Sequence, residues 1–179
     1  MSVFETKRLH LRHLKTSDRE SLYQLLSDPK VMHYYPHPLN LEETEEWIER
    51  SKHSVQEKGH SFFACIHKQS GDFAGICGLI PPGNNPGTSE VEVGCLFHRR
   101  YWGLGLAREA TFGCIDYGFF HFGYEKLVAT IDPENHASIR LAERGGFVFE
   151  SKIHRFDKTM LLYSITKEVW EDHAYSRAG

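Results

Sequence analysis

Apolar and polar residues alternate in the opening stretch FETKRLHLRHL, with Leu9, Leu11 and His13 on one side and His10, Arg12 and Leu14 on the other. That two-residue period predicts a first strand. Ser17 ahead of DRESLYQLLSD predicts a helix N-cap, with Glu20 as its capping-box partner and Pro29 as the stop. Asn40 and Glu43 repeat the signal before LEETEEWIERSKHSVQEKG, which Gly59 ends. SFFACIHK and FAGICGLI read as strands joined through QSGD in a hairpin. PPGNNPGTS then interrupts the pattern with a loop of about ten residues, long enough to carry function.

The second half continues with the strand EVEVGCLF and the helix GLGLAREATFGCIDYGFFHFG, where Ala107, Ala110, Cys114 and Tyr117 recur at helical spacing. KLVATID, HASIRLAERGG, FVFESKIH and TMLLYSITKEVW follow as strand, helix, strand and strand. The order βααβββαβαββ predicts one α/β domain of the α+β type, a mixed central sheet of about seven strands flanked by about four helices. Its early pairs should be antiparallel and those around the two later helices parallel. The 179 residues fit a single domain spanning 1–179.

Composition narrows the function. Lys and Arg number 21 against 24 Asp and Glu, which excludes the basic stripe of a nucleic-acid binder. MSVFETKRLHLRHL has no apolar core of a signal peptide, and no apolar run approaches the ~18 residues of a membrane span, so a cytoplasmic, membrane-free protein is expected. Cys65, Cys77, Cys95 and Cys114 lie in apolar contexts without a CxxC spacing and are expected as buried free thiols. The 12 histidines include no HExxH, and His33 and His37 stand beside prolines, so no metal is expected.

The stretch LFHRRYWGLGLAREA sets Gly103 and Gly105 between a strand and a helix. A helix start has four N–H groups without intrahelical partners and a positive dipole end, so it suits an anion. The GxxxxGK[ST] of a P-loop is absent, and a dinucleotide fingerprint would need a third glycine where Arg108 stands. Arg100, Gly103 and Gly105 instead resemble motif A of the GCN5-related N-acetyltransferases (GNAT), [RQ]xxGx[GA]. IDPENHASIRLAERGGF resembles the NxxSxxxxxxxGF motif of the ribosomal-protein N-terminal (RimJ/RimL-like) branch, at Asn135, Ser138, Gly146 and Phe147. ETKRLHLRHL and DPKVMHYYP are also similar to that branch, so the resemblance covers nearly the whole chain.

This resemblance implies the GNAT fold, acetyl-CoA as donor substrate and a primary amine as acceptor. It implies a pyrophosphate site on the turn of Arg100, Trp102, Gly103, Leu104, Gly105, Leu106 and Ala107. The alternative is a tight connection whose glycines only pack. In the family a splayed point on the preceding strand offers N–H groups to the thioester carbonyl, and Leu96 and Phe97 occupy that place.

Acetyl transfer needs a neutral amine. Alternation puts Glu92 on the face opposite Val91, Val93, Cys95 and Phe97, two residues before Gly94 in an acid-x-glycine pattern of this branch. Glu92 is the candidate base, directly or through a water; alternatively it orders solvent or holds a cationic acceptor. An α-amine, with a reference pKa of about 7.7–8.0, needs less help than a lysine at about 10.4. With Asn135 as N-cap, Ser138 is the third helical residue, and its hydroxyl can stabilise a CoA thiolate; plain capping is the alternative for both. Many family members use a tyrosine acid where Ala142 stands, so the resemblance shifts that role to Ser138.

Cys95 is expected on the buried face, which favours direct transfer in a ternary complex over an acetyl-cysteine route. Tyr34 and Tyr35, with the acidic helix of Glu42, Glu43, Glu45, Glu46 and Trp47, fall where the family builds its acceptor pocket; the alternative is glutamates that face water and offset the helix dipole, and rings that only pack. The expected acceptor is a protein N-terminal α-amine. The alternatives are a polyamine, an amino acid, an amine antibiotic, or a CoA-binding module without catalysis. The expected assembly is a monomer or homodimer.

Overall fold

A computed structural model describes residues 1–83 and 87–173. Along the chain run β1 (Phe4–Glu5), β2 (Leu9–His13), α1 (Arg19–Leu26), α2 (Leu41–Lys58), β3 (Phe62–His67), β4 (Phe73–Ile80) and β5 (Glu92–Phe97). They are followed by α3 (Leu106–Asp116), β6 (Lys126–Ile131), α4 (His136–Arg144), β7 (Val148–Arg155), β8 (Lys158–Thr166) and α5 (Lys167–Asp172). The strands form one 8-stranded sheet in the order β1-β2-β3-β4-β5-β6-β8-β7. Residues 84–86, inside the glycine- and proline-rich loop, lie outside the described residues.

Helices cover both faces. On one side Leu9, Phe63, Leu79, Val93 and Phe97 pack against Leu106, Ala110, Cys114 and Phe119 of α3 and its extension. On the other, Ala64 and Ile76 pack against Leu22, Leu25, Leu26 and Ile48 of α1 and α2. The alternation in the first strand sends Leu9 and Leu11 fully inside.

The mixed sheet and flanking helices agree with the element order read from the sequence, with one more strand and one more helix. The extra strand is β1, which the chain folds back to pair Phe4 with Leu11. The extra helix arises because TMLLYSITKEVW divides at Thr166, whose hydroxyl accepts the Val169 N–H as an N-cap. The sheet is less parallel than expected. Among the described strands only β5 and β6 pair in parallel, because β8 inserts between β6 and β7.

Capping follows the sequence at α2 and α4 and departs from it at α1. Asn40 and Glu43 form the expected reciprocal box, at 2.9 and 2.7 Å, and Gly59 closes α2 in the left-handed conformation. Ser17 does not cap α1. Residues Thr16–Asp18 make a short 3₁₀ turn instead, and the Asp18 carboxylate accepts the Lys15 N–H and both terminal nitrogens of Arg12. The helix then stops at Leu26, before Pro29 is reached.

Candidate active site

The site begins where the sheet opens. β5 meets β6 at a single register position, Glu92 with Val128, secured by the Val128 N–H on the Val91 carbonyl at 3.0 Å. Beyond it β5 stays on β4 as far as Phe97, whereas β6 stays on β8, so the two strands part. The His98 N–H donates to the Ala74 carbonyl at 3.0 Å, which fixes the alternation along β5. The N–H groups of Gly94 and Leu96 then point at β4, and those of Cys95 and Phe97 at the opening. Of the pair expected to offer N–H groups, Phe97 therefore does so and Leu96 does not; Cys95 takes its place. Leu96 lines the cleft and packs against the α1–α2 cluster, while the Phe97 ring, 4% exposed, belongs to the core.

A cavity of about 190 Å³ fills the opening. It gathers Tyr34 and Tyr35 from the α1–α2 connection, Glu92 and Leu96 from β5, and Asn135 and Ser138 from α4. Glu92 is deeply held. Both its carboxylate oxygens accept from the Arg155 guanidinium at 3.0–3.2 Å, and the Arg155 and Glu92 side chains are 5% and 9% exposed. Burial and then the nearby Glu92 charge push the Tyr35 phenol well up, so it stays protonated at neutral pH.

A second pair stands across the cleft. Asp132 is buried at the end of β6 and accepts from the Lys158 ammonium and, at 2.9 Å, from the Glu134 N–H. Burial alone would raise its carboxyl, but Lys158 and the Glu134 N–H outweigh burial and hold it below the usual range. Lys158 also donates to the Tyr34 carbonyl at 3.1 Å, tying the α1–α2 connection to the β7–β8 hairpin.

Arg155 and Lys158 flank the two-residue turn Phe156–Asp157, and both turn residues have φ of 57°. Two left-handed residues match the twist of a tight hairpin but are costly for a side chain as large as phenylalanine. The Phe156 ring lies 5.9 Å from that of Tyr35. None of Asp132, Arg155, Phe156 or Lys158 was selected from the sequence. The signal was hidden because RFDK lacks the Asn-Gly or Asp-Gly that marks such a turn.

The glycine turn follows β5 through the short helical turn Arg99–Tyr101. Gly103 and Gly105 have φ of 74° and 78°, a region that L side chains avoid. Conformation requires these glycines. A Cβ at Gly103 would meet nothing within 4 Å, so the space beside it is open, as an approaching phosphate needs.

Gly105 is the N-cap of α3 and no side chain caps that end, in contrast to α2, α4 and α5. The first intrahelical bond is Glu109 N–H to the Gly105 carbonyl at 3.1 Å, so the N–H groups of Leu106, Ala107 and Arg108 have no partner within the helix. Such an end fits a diphosphate.

Arg8 braces the turn from the first strand's entry. It donates to the Leu104 carbonyl at 2.8 Å and to Glu109 at 2.7 Å. Burial alone would raise the Glu109 carboxyl; the Thr6 hydroxyl, the Arg8 N–H and the Arg8 guanidinium together hold it down. Around the turn, Trp102 donates to the Phe97 carbonyl at 2.8 Å, and exposed Arg100 lies 3.6 Å from Asp72. Trp102 and Leu104 are exposed, Leu106 is buried in the core and Ala107 packs against it.

At α4, Asn135 is the N-cap and its side chain accepts the Ser138 N–H at 3.1 Å, which makes Ser138 the third helical residue. Cys95 is half-buried, and the adjacent Cys77 followed by burial pushes its thiol well above the ordinary value. Cys65, Cys77 and Cys114 are buried free thiols. Among the described residues no group of three or more His, Cys, Asp or Glu side chains could hold a metal ion, and no helix is long and apolar enough to cross a membrane.

An open strand pair lies beside an uncapped, glycine-led helix start, and residues 8–148 match the acetyltransferase (GNAT) domain family. The chain belongs to that family. It is thus an acyltransferase acting on an amine, of a family that uses acetyl-CoA as donor. The Bacillus subtilis protein YkkB is 37% identical over 159 residues, covering 88% of this chain and 92% of that protein.

An acetyltransferase from Agrobacterium tumefaciens has the same fold, with a TM-score of 0.82 at 24% identity over 93% of this chain and 95% of its own. Spermidine N-acetyltransferase from Vibrio cholerae, solved with CoA and spermine, has a TM-score of 0.75 at 21% identity over 92% of this chain and 98% of its own.

Proposed function

We propose that this GNAT enzyme transfers the acetyl group of acetyl-CoA directly to a primary amine in a ternary complex in the cytoplasm, and that its acceptor is a protein N-terminal α-amine. The observation that carries this reading is the parting of β5 and β6 immediately beyond Glu92, which places Glu92, Tyr35 and Ser138 around one cavity. The α3 N-terminus takes the pyrophosphate through the backbone of the Arg100–Ala107 turn. The Cys95 and Phe97 N–H groups face the thioester carbonyl, where negative charge develops during attack.

The amine nitrogen attacks that carbonyl and the C–S bond breaks. Glu92 orients the amine and takes its proton through a water, because a carboxylate offers about four lone-pair directions and Arg155 need not be displaced for one more contact. Ser138, beside the positive end of α4, donates to the departing thiolate. A Cys95 thiol held neutral is a poor nucleophile, which supports direct transfer. The NxxS pattern at Asn135 and Ser138 supports the RimJ/RimL-like assignment, and an α-amine suits a base that is already ion-paired.

Amine-dependent thiol release from acetyl-CoA tests the proposal, with calorimetric titration of acetyl-CoA, CoA, ATP and NAD beside it. Selective binding of the two CoA species and release that depends on a peptide with a free N-terminus are expected. Binding of CoA with no release for any amine would leave a CoA-binding module and end the catalytic reading.

A further inference from the structure

Charge compensation in the acceptor half of the cleft bears on which amines fit. Glu92 and Asp132 are the carboxylates among the described residues that line it. Each faces a cation from the same hairpin, Arg155 at the end of β7 and Lys158 at the start of β8. The four charges cancel. The acids of α2 do not alter this, because the α2 residue that lines the cavity is Trp47, and Glu45, Glu46 and Glu49 end in ion pairs with Arg19, Arg50 and Lys52. The rest of the acceptor wall is mostly apolar, made by Tyr35, Trp47, Phe62, Phe156 and Met160, with the Thr130 hydroxyl and Tyr34 as its uncharged polar groups.

An amine directed by Glu92 brings one nitrogen to the reacting centre. The reacting nitrogen gives up its proton, whereas a second group on the same molecule stays an ammonium and would lose water against rings and methylene groups. Asp132 has lone pairs to spare, as Glu92 has, but its charge is already balanced by Lys158. We infer that the acceptor is a monoamine, one primary amine on an apolar body, and that the cations of the β7–β8 hairpin exclude diamines and polyamines. The inference rests on the acetyl-transfer reading of this cleft and narrows its substrate class. The same chemistry is offered by a free alkylamine or by the α-amine of an apolar N-terminal residue.

The test compares initial rates of thiol release from acetyl-CoA for pentylamine and 1,5-diaminopentane, which differ by one ammonium at equal length. A tripeptide with an N-terminal alanine and no other amine is run in parallel. The wild-type enzyme should favour pentylamine over the diamine by at least about tenfold in kcat/KM, the scale expected for a desolvated charge without a counter-ion. A tripeptide faster than pentylamine assigns a polypeptide terminus, and the reverse assigns a free amine.

Lys158 is 38% exposed, so Lys158→Gln should fold, and by returning its charge to Asp132 it should move the ratio about tenfold toward the diamine. A diamine equal to or better than pentylamine in the wild type, or a ratio unmoved by Lys158→Gln, overturns the inference. Silence with every amine from protein that still binds acetyl-CoA overturns the transfer reading itself, and the inference falls with it.

Discussion

At the end of the cleft proposed for the donor the available groups come from main chain: an uncapped helix start, two left-handed glycines and the outward N–H groups of β5. At the acceptor end they come from side chains that four separate segments deliver, and their charges are paired before any substrate arrives. The difference separates two ways of building a site. Backbone donors are local and leave a compact signature in the chain, and they suit the part of the substrate that every reaction shares. Side-chain pairs drawn from distant segments set what differs between acceptors.

The largest effect should come from breaking the acceptor end. Arg155→Met deprives the buried Glu92 of its guanidinium, and removing one partner of a buried ion pair costs about 3–5 kcal/mol. For a chain of this size that is a fall of roughly 6–20 °C in Tm by thermal denaturation. The double variant Glu92→Met with Arg155→Met should regain most of it. A single variant as stable as the wild type would mean that the acceptor end is not organised around this pair.

The donor end should respond in binding rather than stability. Gly103→Val forces a β-branched residue to φ of 74°, at a strain of about 1–3 kcal/mol that the turn relieves by changing shape. Acetyl-CoA affinity measured by calorimetry should fall about 5- to 150-fold. Unchanged affinity would remove the pyrophosphate from this turn.

Asn135 and Ser138 sit between the two ends and separate capping from chemistry. Asn135→Ala removes the cap acceptor and should cost about 1 kcal/mol, or roughly 2–4 °C in Tm. Ser138→Ala keeps the N–H that the cap uses, so Tm should hold while turnover falls by about tenfold or more, as for one lost hydrogen bond to a charged group. An equal loss of affinity and turnover would assign Ser138 to binding alone.

Acid titration should give the smallest effect. Asp132 is held below its unfolded value, so its contribution is present above about pH 4 and is lost as pH falls through its lower folded value. Asp132→Asn should flatten the fall in Tm between about pH 5 and about pH 3. An unchanged acid limb would show that the Lys158 contact adds no stability.

Sequence alone determined the local features. Period and capping placed β2, α2 and α3, and the residue types at Gly103, Gly105, Asn135 and Ser138 announced a helix-start site, since each acts within a few residues of itself. It placed Glu92 on the correct face by alternation but could not supply Arg155, which lies 63 residues away in the chain. The family resemblance named Leu96 as a donor where Cys95 stands, because which N–H groups face outward depends on where β4 and β6 pair with β5.

Only the tertiary structure decided that the Phe156–Asp157 turn brings two cations against two acids, and so what charge the acceptor meets. The reason is physical. Main-chain periodicity and caps are encoded over one or two turns, whereas the field inside a cleft is a sum over side chains that become neighbours only when the sheet has formed.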